Sequence, residues 1–420
     1  MGDMTQYIQE ELTASIGGGN YQLPLYFDHP INIGENMHRL IERQRILIDE
    51  FYDTVVRLAR KALFENEVPL LRILFSDYVG GMDLDYHRSL PDFCWRKPIL
   101  FRTDQSVTGK IYELQPPGSG WGDIPLIATA LCRIGCNLPS KIFAYTDDYS
   151  NNIVEATGKS QPKVCHMLDA ASEPPGIRYL FNKTRPKLRY WGIDQEVSMD
   201  NIDYITAHSA ASLTTSNYFN HYMGLANEGK LVFGISPNLI FDQKAIYLLP
   251  FYRYTKSEFS DEIRSMFPFT TFLEINESGA YGFYDTTGNF VDIETFCRLT
   301  KSKRRFFLKY GGTDLSRNWG SREVFRLDTG ANDDCSDRLN KIKPLVQKGE
   351  IWIIQEDISR FMKETASCDI NTIVSEDKRQ KPHIKISAFY GSKSVIGVKV
   401  MARIHYKVHG QTDTLVGIGI

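Results

Sequence analysis

From Pro162 to Pro237 short apolar clusters alternate with longer amphipathic stretches. They read as strand (Val164 to Leu168), helix (Gly176 to Lys183), strand (Leu188 to Ile193), strand (Asp203 to Ala207), helix (Thr214 to Ala226) and strand (Lys230 to Ile235). Few topologies satisfy that order. It predicts a small parallel sheet with helices on its faces, joined by right-handed crossovers.

The segment lacks a G-x-G-x-x-G run, so it reads as a Rossmann-like substrate or lid subdomain and not as a dinucleotide site. Upstream, the first 35 or so residues are turn-rich, and Met37 to Phe64 carries apolar residues at helical spacing, predicting one long amphipathic helix. Pro98 to Thr103 and Lys110 to Gln115 read as strands joined by a turn at Thr108-Gly109, and Ile124 to Cys136 as a helix. Downstream, a helix over Gln243 to Tyr252 and a second ending near Met266 precede strands at Thr270 to Ile275 and Ala280 to Tyr284. Helices at Asp292 to Leu299 and Cys335 to Gln347 alternate with strands at Arg305 to Tyr310 and Glu350 to Gln355. Strands at Ile384 to Tyr390, Val395 to His405 and Thr414 to Ile420 finish the chain. The fold class is α+β (α/β), divided as 1–160, 161–240 and 241–420.

Charge excludes some functions. Lys plus Arg (49) balances Asp plus Glu (51), a net charge of −2 that supplies no field for gathering nucleic acid or anionic lipid. Apolar runs fall short of the roughly 20 residues of a spanning helix. A cytoplasmic protein without nucleic-acid or membrane partners is expected, with a homodimer the commonest assembly for such a chain. Seven cysteines at irregular spacing read as reduced core thiols; Cys132 and Cys136, the only close pair, read as buried filler on one helix. The basic run Lys301 to Arg305 reads as a solvated helix end. No histidine pair has zinc spacing.

Lys309-Tyr310-Gly311-Gly312-Thr313-Asp314-Leu315-Ser316-Arg317-Asn318-Trp319-Gly320 places a lysine at a strand end before a small-residue loop. Glycines there permit the positive φ angles that aim consecutive N–H groups at an anion. Alone, the stretch fits a phosphate lid and an ordinary hairpin turn equally.

Its neighbours carry a resemblance. Asp242-Gln243-Lys244-Ala245 with Phe267-Pro268-Phe269-Thr270, then Phe307-Leu308-Lys309, then Trp352-Ile353-Ile354-Gln355-Glu356-Asp357-Ile358, resemble in order the early lysine, second lysine and adenine hinge of the ATP-grasp superfamily. Phe101-Arg102-Thr103-Asp104 and Lys110-Ile111-Tyr112-Glu113-Leu114-Gln115 resemble the metal segment of eukaryotic glutathione synthetase and glutathionylspermidine synthetase-like proteins. Met401-Ala402-Arg403-Ile404-His405 more loosely resembles that group's C-terminal motif. The metal segment lies upstream of the hinge, as a circular permutation of the fold would place it.

The resemblance implies ATP and Mg²⁺ as cofactors. It gives Lys244 and Lys309 to the phosphates, Gly311, Gly312 and Asn318 to the lid, and Gln355, Glu356 and Ile358 to adenine. Glu113 and Gln115, alternate residues of one strand, become metal ligands with Asp314. Arg102 stabilises the phosphoryl group in flight, and Arg403 pairs with the substrate carboxylate. His405 stands where a lysine is expected. The implied activity is an ADP-forming carboxylate–amine ligase working through an acyl phosphate on an amino acid or peptide. A small-molecule kinase and a non-catalytic scaffold are the alternatives.

Overall fold

The structure, a computed structural model, describes residues 2–17, 21–75, 84–115, 120–167, 175–184, 202–207, 209–318, 323–329, 331–359, 382–403 and 414–420. The turn-rich reading of the start is overturned at once: Gly2–Ile16 is a helix. Met4, Ile8 and Leu12, four apart and buried, form its inner stripe.

Contacts divide the chain into two units, each assembled from separated segments. The first comprises Met1–Ile46, Pro98–Pro237 and Ser359–Ile420, the second Leu47–Lys97 and Asn238–Ile358. Helix Glu35–Glu65, the long helix expected from periodicity, contributes residues to both.

In chain order the first unit begins with strands β1 (Leu25–Tyr26), β2 (Phe101–Gln105), β3 (Ile111–Gln115), β4 (Val164–Met167), β5 (Tyr204–Ala207) and β6 (Val232–Phe233). The second holds β7 (Thr270–Phe272), β8 (Glu274–Ile275), β9 (Tyr281–Tyr284), β10 (Phe290–Asp292), β11 (Phe306–Tyr310), β12 (Val324–Arg326) and β13 (Trp352–Glu356). β14 (His383–Tyr390), β15 (Val395–Arg403) and β16 (Leu415–Ile418) return to the first.

Strands β1-β16-β15-β14-β2-β3 form a six-stranded sheet in the first unit. The β2–β3 turn falls where expected, with Gly109 at φ +81°. One face of this sheet packs on the start of the long helix: the Tyr390 hydroxyl reaches the Ile41 carbonyl at 3.4 Å, and Gln44 donates to the Gly109 carbonyl at 2.6 Å.

The expected parallel sheet is also present, as β4-β5-β6 over Cys165, Ile205, Leu213, Tyr222 and Ile235. The helix predicted over 214–226 is two, Ala210–Thr214 and Phe219–Asn227. Leu188 to Ile193 lies outside the described residues.

In the second unit an antiparallel sheet β12-β11-β13-β7 and a smaller one, β10-β9-β8, share a core with helices Ile293–Arg298 and Asn332–Gln347 around Phe296, Leu308, Leu339, Trp352 and Ile354. Three expectations fail locally. The predicted helix from Gln243 is only a 3₁₀ turn, Lys244–Leu248, because Pro250 has no N–H to continue it. Arg304, read as solvated, is fully buried and donates to Asn332 at 3.0 Å, while Lys301 and Lys303 stay exposed. Helix Asp123–Arg133 ends before Cys136, so Cys132 is exposed and Cys136 half-buried. Among the described residues no helix is long and apolar enough to cross a membrane.

Candidate functional site

Register decides which side chains share a face. In the six-stranded sheet Arg102 lies opposite Gln115 and Asp104 opposite Glu113. Ser387 lies opposite Asp104 on one side and Lys399 on the other, and His383 opposite Arg403. Because successive side chains alternate, Arg102, Asp104, Glu113, Gln115, Lys385, Ser387, Lys399 and Arg403 all project from the face turned away from the long helix.

Asp104 is the hub. Its Oδ1 accepts from Ser387 Oγ at 2.7 Å and faces Arg102 Nε at 3.1 Å, while Oδ2 accepts from Lys385 Nζ at 2.9 Å. Arg102 also donates to Gln115 Oε1. Lys399 Nζ pairs with Asp123 Oδ2 at 2.7 Å, at the start of helix Asp123–Arg133. The Trp121 ring lies 5.0 Å from that of Phe389, which is paired with Arg102 across the strands.

Burial alone would raise the Asp104 pKa, but Arg102, Lys385 and the hydrogen bonds outweigh it and hold the carboxylate well below its ordinary range. Burial pushes the Lys399 ammonium below its usual value, against the pull of Asp123. Three buried cations, Arg102, Lys385 and Lys399, thus face two carboxylates, Asp104 and Asp123. Glu113 and Arg403, both half-buried, add one charge of each sign, so among the described residues of this face the cations outnumber the carboxylates.

The second unit carries a different arrangement. Lys309 Nζ donates to Gln355 Oε1 at 2.6 Å, Gln355 Nε2 to Thr270 Oγ1 at 3.1 Å, and Thr270 Oγ1 to the Pro268 carbonyl at 3.0 Å. Phe307, opposite Gln355, lies under the lysine with Nζ 5.7 Å from the ring centre. Beside it Arg326 bridges Asp328 at 2.6 Å and Asp357 at 3.1 Å. A cation, an amide and an aromatic surface are the groups that a phosphorylated heteroaromatic ligand uses.

Around this string the lid and hinge residues hold other duties. Gly311 has no left-handed φ; its N–H donates to Ile351 at 2.9 Å and its carbonyl accepts from Ala245 at 3.1 Å, bringing Lys244 to the end of β11. Gly312 follows, buried. The Glu356 N–H is committed to Phe269 at 2.8 Å and that of Asp357 to Arg305 at 2.9 Å, and Ile358 is buried. Asp314 is exposed and its Oδ1 accepts from both Ser316 N (2.9 Å) and Ser316 Oγ (2.7 Å), capping a short helix, Leu315–Asn318, that Asn318 closes. Glu113 and Gln115 belong to the first unit and Asp314 to the second. Trp319, Gly320 and His405 lie outside the described residues.

Lys385, Lys399 and Asp123 did not stand out in the sequence, and Asp104 lay within the Phe101 to Asp104 motif with no role of its own. Their signal was there: Lys385 with Ser387, and Lys399 with Arg403, put polar groups at even spacing within apolar strands, all toward one face. Among the described residues no group of three or more His, Cys, Asp or Glu is arranged to hold a metal.

No protein-family model matches the chain, and no curated protein matches it. Among solved structures it is similar to a "putative gamma-glutamylcysteine synthetase" from Methylobacillus flagellatus KT, at 12% identity over 84% of this chain and 83% of that chain, with a TM-score of 0.41. That likeness assigns no activity to this chain.

Proposed function

We propose that the protein is an ATP-dependent carboxylate–amine ligase, with a circularly permuted ATP-grasp fold and an ADP-forming reaction. The observation that carries this reading is the charged face of the six-stranded sheet, where among the described residues buried cations outnumber carboxylates on residues that a carboxylate-activating ligase would need. An excess buried positive charge is costly unless an anion answers it. Arg102, fixed by Asp104 and Gln115, presents a planar fork suited to a phosphoryl or carboxylate group, and Lys399 a compact charge beside it. Both are positioned before a ligand arrives, so stabilising developing charge requires little reorganisation.

ATP and Mg²⁺, when bound, supply the phosphoryl group and neutralise its oxygens. Mg²⁺ is usually held by one or two carboxylates plus phosphate oxygens and water, and Glu113, a half-buried carboxylate at the margin of the charged face, would supply one of them. Gln115 would have to exchange Arg102 for the metal. In the second unit Lys309 would leave Gln355 for phosphate, with Lys244 near the same strand end. Arg403 would hold the substrate carboxylate.

The test is an ADP-release screen over pairs of amino acids, peptides and amines, with mass spectrometry of the products. ADP, free phosphate and an amide are expected; a stable phosphorylated product would instead make the protein a kinase. Lys309→Ala should weaken ATP binding about ten- to a hundredfold, the equivalent of about 1.5–3 kcal/mol for a charged hydrogen bond. Glu113→Ala should abolish turnover while nucleotide still binds. Normal turnover of a folded Glu113→Ala protein would sink the assignment.

A further inference from the structure

The second unit contains a cavity of about 560 Å³ that meets the Lys309–Gln355 string at Thr270 and is otherwise lined by residues given no ligand role above. Phe251, Tyr252, Phe269, Phe272 and Tyr284 line it, together with Glu274. The rings are held against one another, Phe251 on Phe269 with centres 5.5 Å apart and Tyr252 on Phe272 at 5.8 Å.

Glu274 lies buried beside these rings. The residue is 5% exposed and its Oε1 has no hydrogen-bond partner. Oε2 lies 3.8 Å from Arg72, an ion pair beyond hydrogen-bond reach. The other charged groups lining the cavity are Arg253, Lys256, Arg264 and Asp285, and the Lys256 side chain is exposed. Asp285 accepts from Thr287 and Asn289 in its own turn, Arg264 donates to the Lys256 carbonyl at 2.6 Å, and Arg253 is exposed and stacked on Tyr284 at 4.2 Å. Leaving a buried carboxylate oxygen without a donor costs free energy that a bound N–H group recovers.

The backbone adds acceptors beside it. β7 is the edge strand of its sheet. Leu273 N donates to the Trp352 carbonyl and Glu356 N to that of Phe269, so residues 269, 271 and 273 face β13. By the antiparallel alternation, Thr270 and Phe272, both lining the cavity, turn their carbonyls to the open edge.

We propose that this cavity binds an organic ammonium ion, a primary amine whose N–H groups meet Glu274 Oε1 and the open β7 edge while its apolar part packs among the rings. Aromatic faces attract a cation as well as covering hydrocarbon. Burial raises the Glu274 pKa despite Arg72 and Arg253, so a cationic partner at Oε1 also favours the ionised carboxylate. The proposal rests on the cavity alone and requires no nucleotide.

Calorimetric titration of the full chain without ATP, using 2-phenylethylamine, 2-phenylethanol and phenylalanine, tests it. The amine should bind at least tenfold more tightly than the alcohol, and more tightly than phenylalanine. Glu274→Gln should remove the preference for the amine and leave alcohol binding unchanged. If that variant fails to fold, Tyr252→Leu serves: it removes a ring beside Glu274 and should weaken the amine severalfold more than the alcohol. Equal binding of amine and alcohol, no amine binding, tighter binding of phenylalanine, or an unaltered preference in the folded variant would each overturn the proposal.

Discussion

Asp104 shows how much one residue of the charged face decides. Arg102, Lys385 and Ser387 all converge on its carboxylate, and replacing it by Asn leaves two buried cations facing an amide. Removing one partner of a buried ion pair costs about 3–5 kcal/mol. The sign of the pH dependence follows from the depressed pKa. An unfolded aspartate titrates near 3.9, so the ionised group stabilises the fold above that value, and the contribution is lost as pH falls toward the lower folded pKa. Asp104→Asn should therefore lower the urea midpoint at pH 7 and lower it by less at about pH 3, the difference shrinking further as pH approaches the folded pKa. An equal difference at both pH values would show that the carboxylate's charge is not what stabilises this face.

At the scale of elements, helix Asp123–Arg133 is placed by a contact between two glycines. A Cβ on Gly122 would stand 1.6 Å from the Gly176 carbonyl oxygen, whereas a Cβ on Gly176 meets nothing closer than 3.2 Å. Gly122→Ala must push apart this helix and helix Pro175–Lys183, carrying Asp123 away from Lys399. Overpacking of this kind costs about 1–3 kcal/mol, so Gly122→Ala should melt several degrees below Gly176→Ala; equal melting temperatures would refute the contact. Such a constraint is illegible in sequence, because it joins positions far apart in the chain. What was legible was periodic. The long helix, the β2–β3 hairpin and the alternation of β4, β5 and β6 all follow from spacing of apolar residues. Helix Gly2–Ile16 had the same signal in Met4, Ile8 and Leu12, but the glycine run after it drew the reading toward turns. Helix Tyr145–Thr157 was hidden by the polar residues between Tyr145, Tyr149 and Ile153. For the candidate site, Arg102, Glu113 and Gln115 came from the resemblance carried by one hairpin. Lys385 and Lys399 joined them only through strand pairing across more than 270 residues.

For the whole molecule, the net charge of −2 gives no sign that, among the described residues, one sheet face gathers three buried cations against two carboxylates. The division into two units, each with two sheets of its own, makes the nucleotide assignment testable by location. A ligand that binds only the folded state stabilises it by RT ln(1 + [L]/Kd), about 2.7 kcal/mol at a hundredfold excess over Kd. For amides that exchange through full opening of the structure holding the ligand, this slows hydrogen exchange about a hundredfold. With ATP and Mg²⁺ added, protection should rise in β11 and β13, whose backbone pairs across Lys309 and Gln355. Amides of the parallel sheet β4-β5-β6, in the other unit, provide the internal comparison. Lys309→Ala should shrink the gain in β11 and β13 in proportion to its lost affinity. If saturating nucleotide protects the parallel sheet and leaves β11 and β13 unchanged, the nucleotide belongs to that sheet, and the reading of Lys309 and Gln355 as its ligands fails.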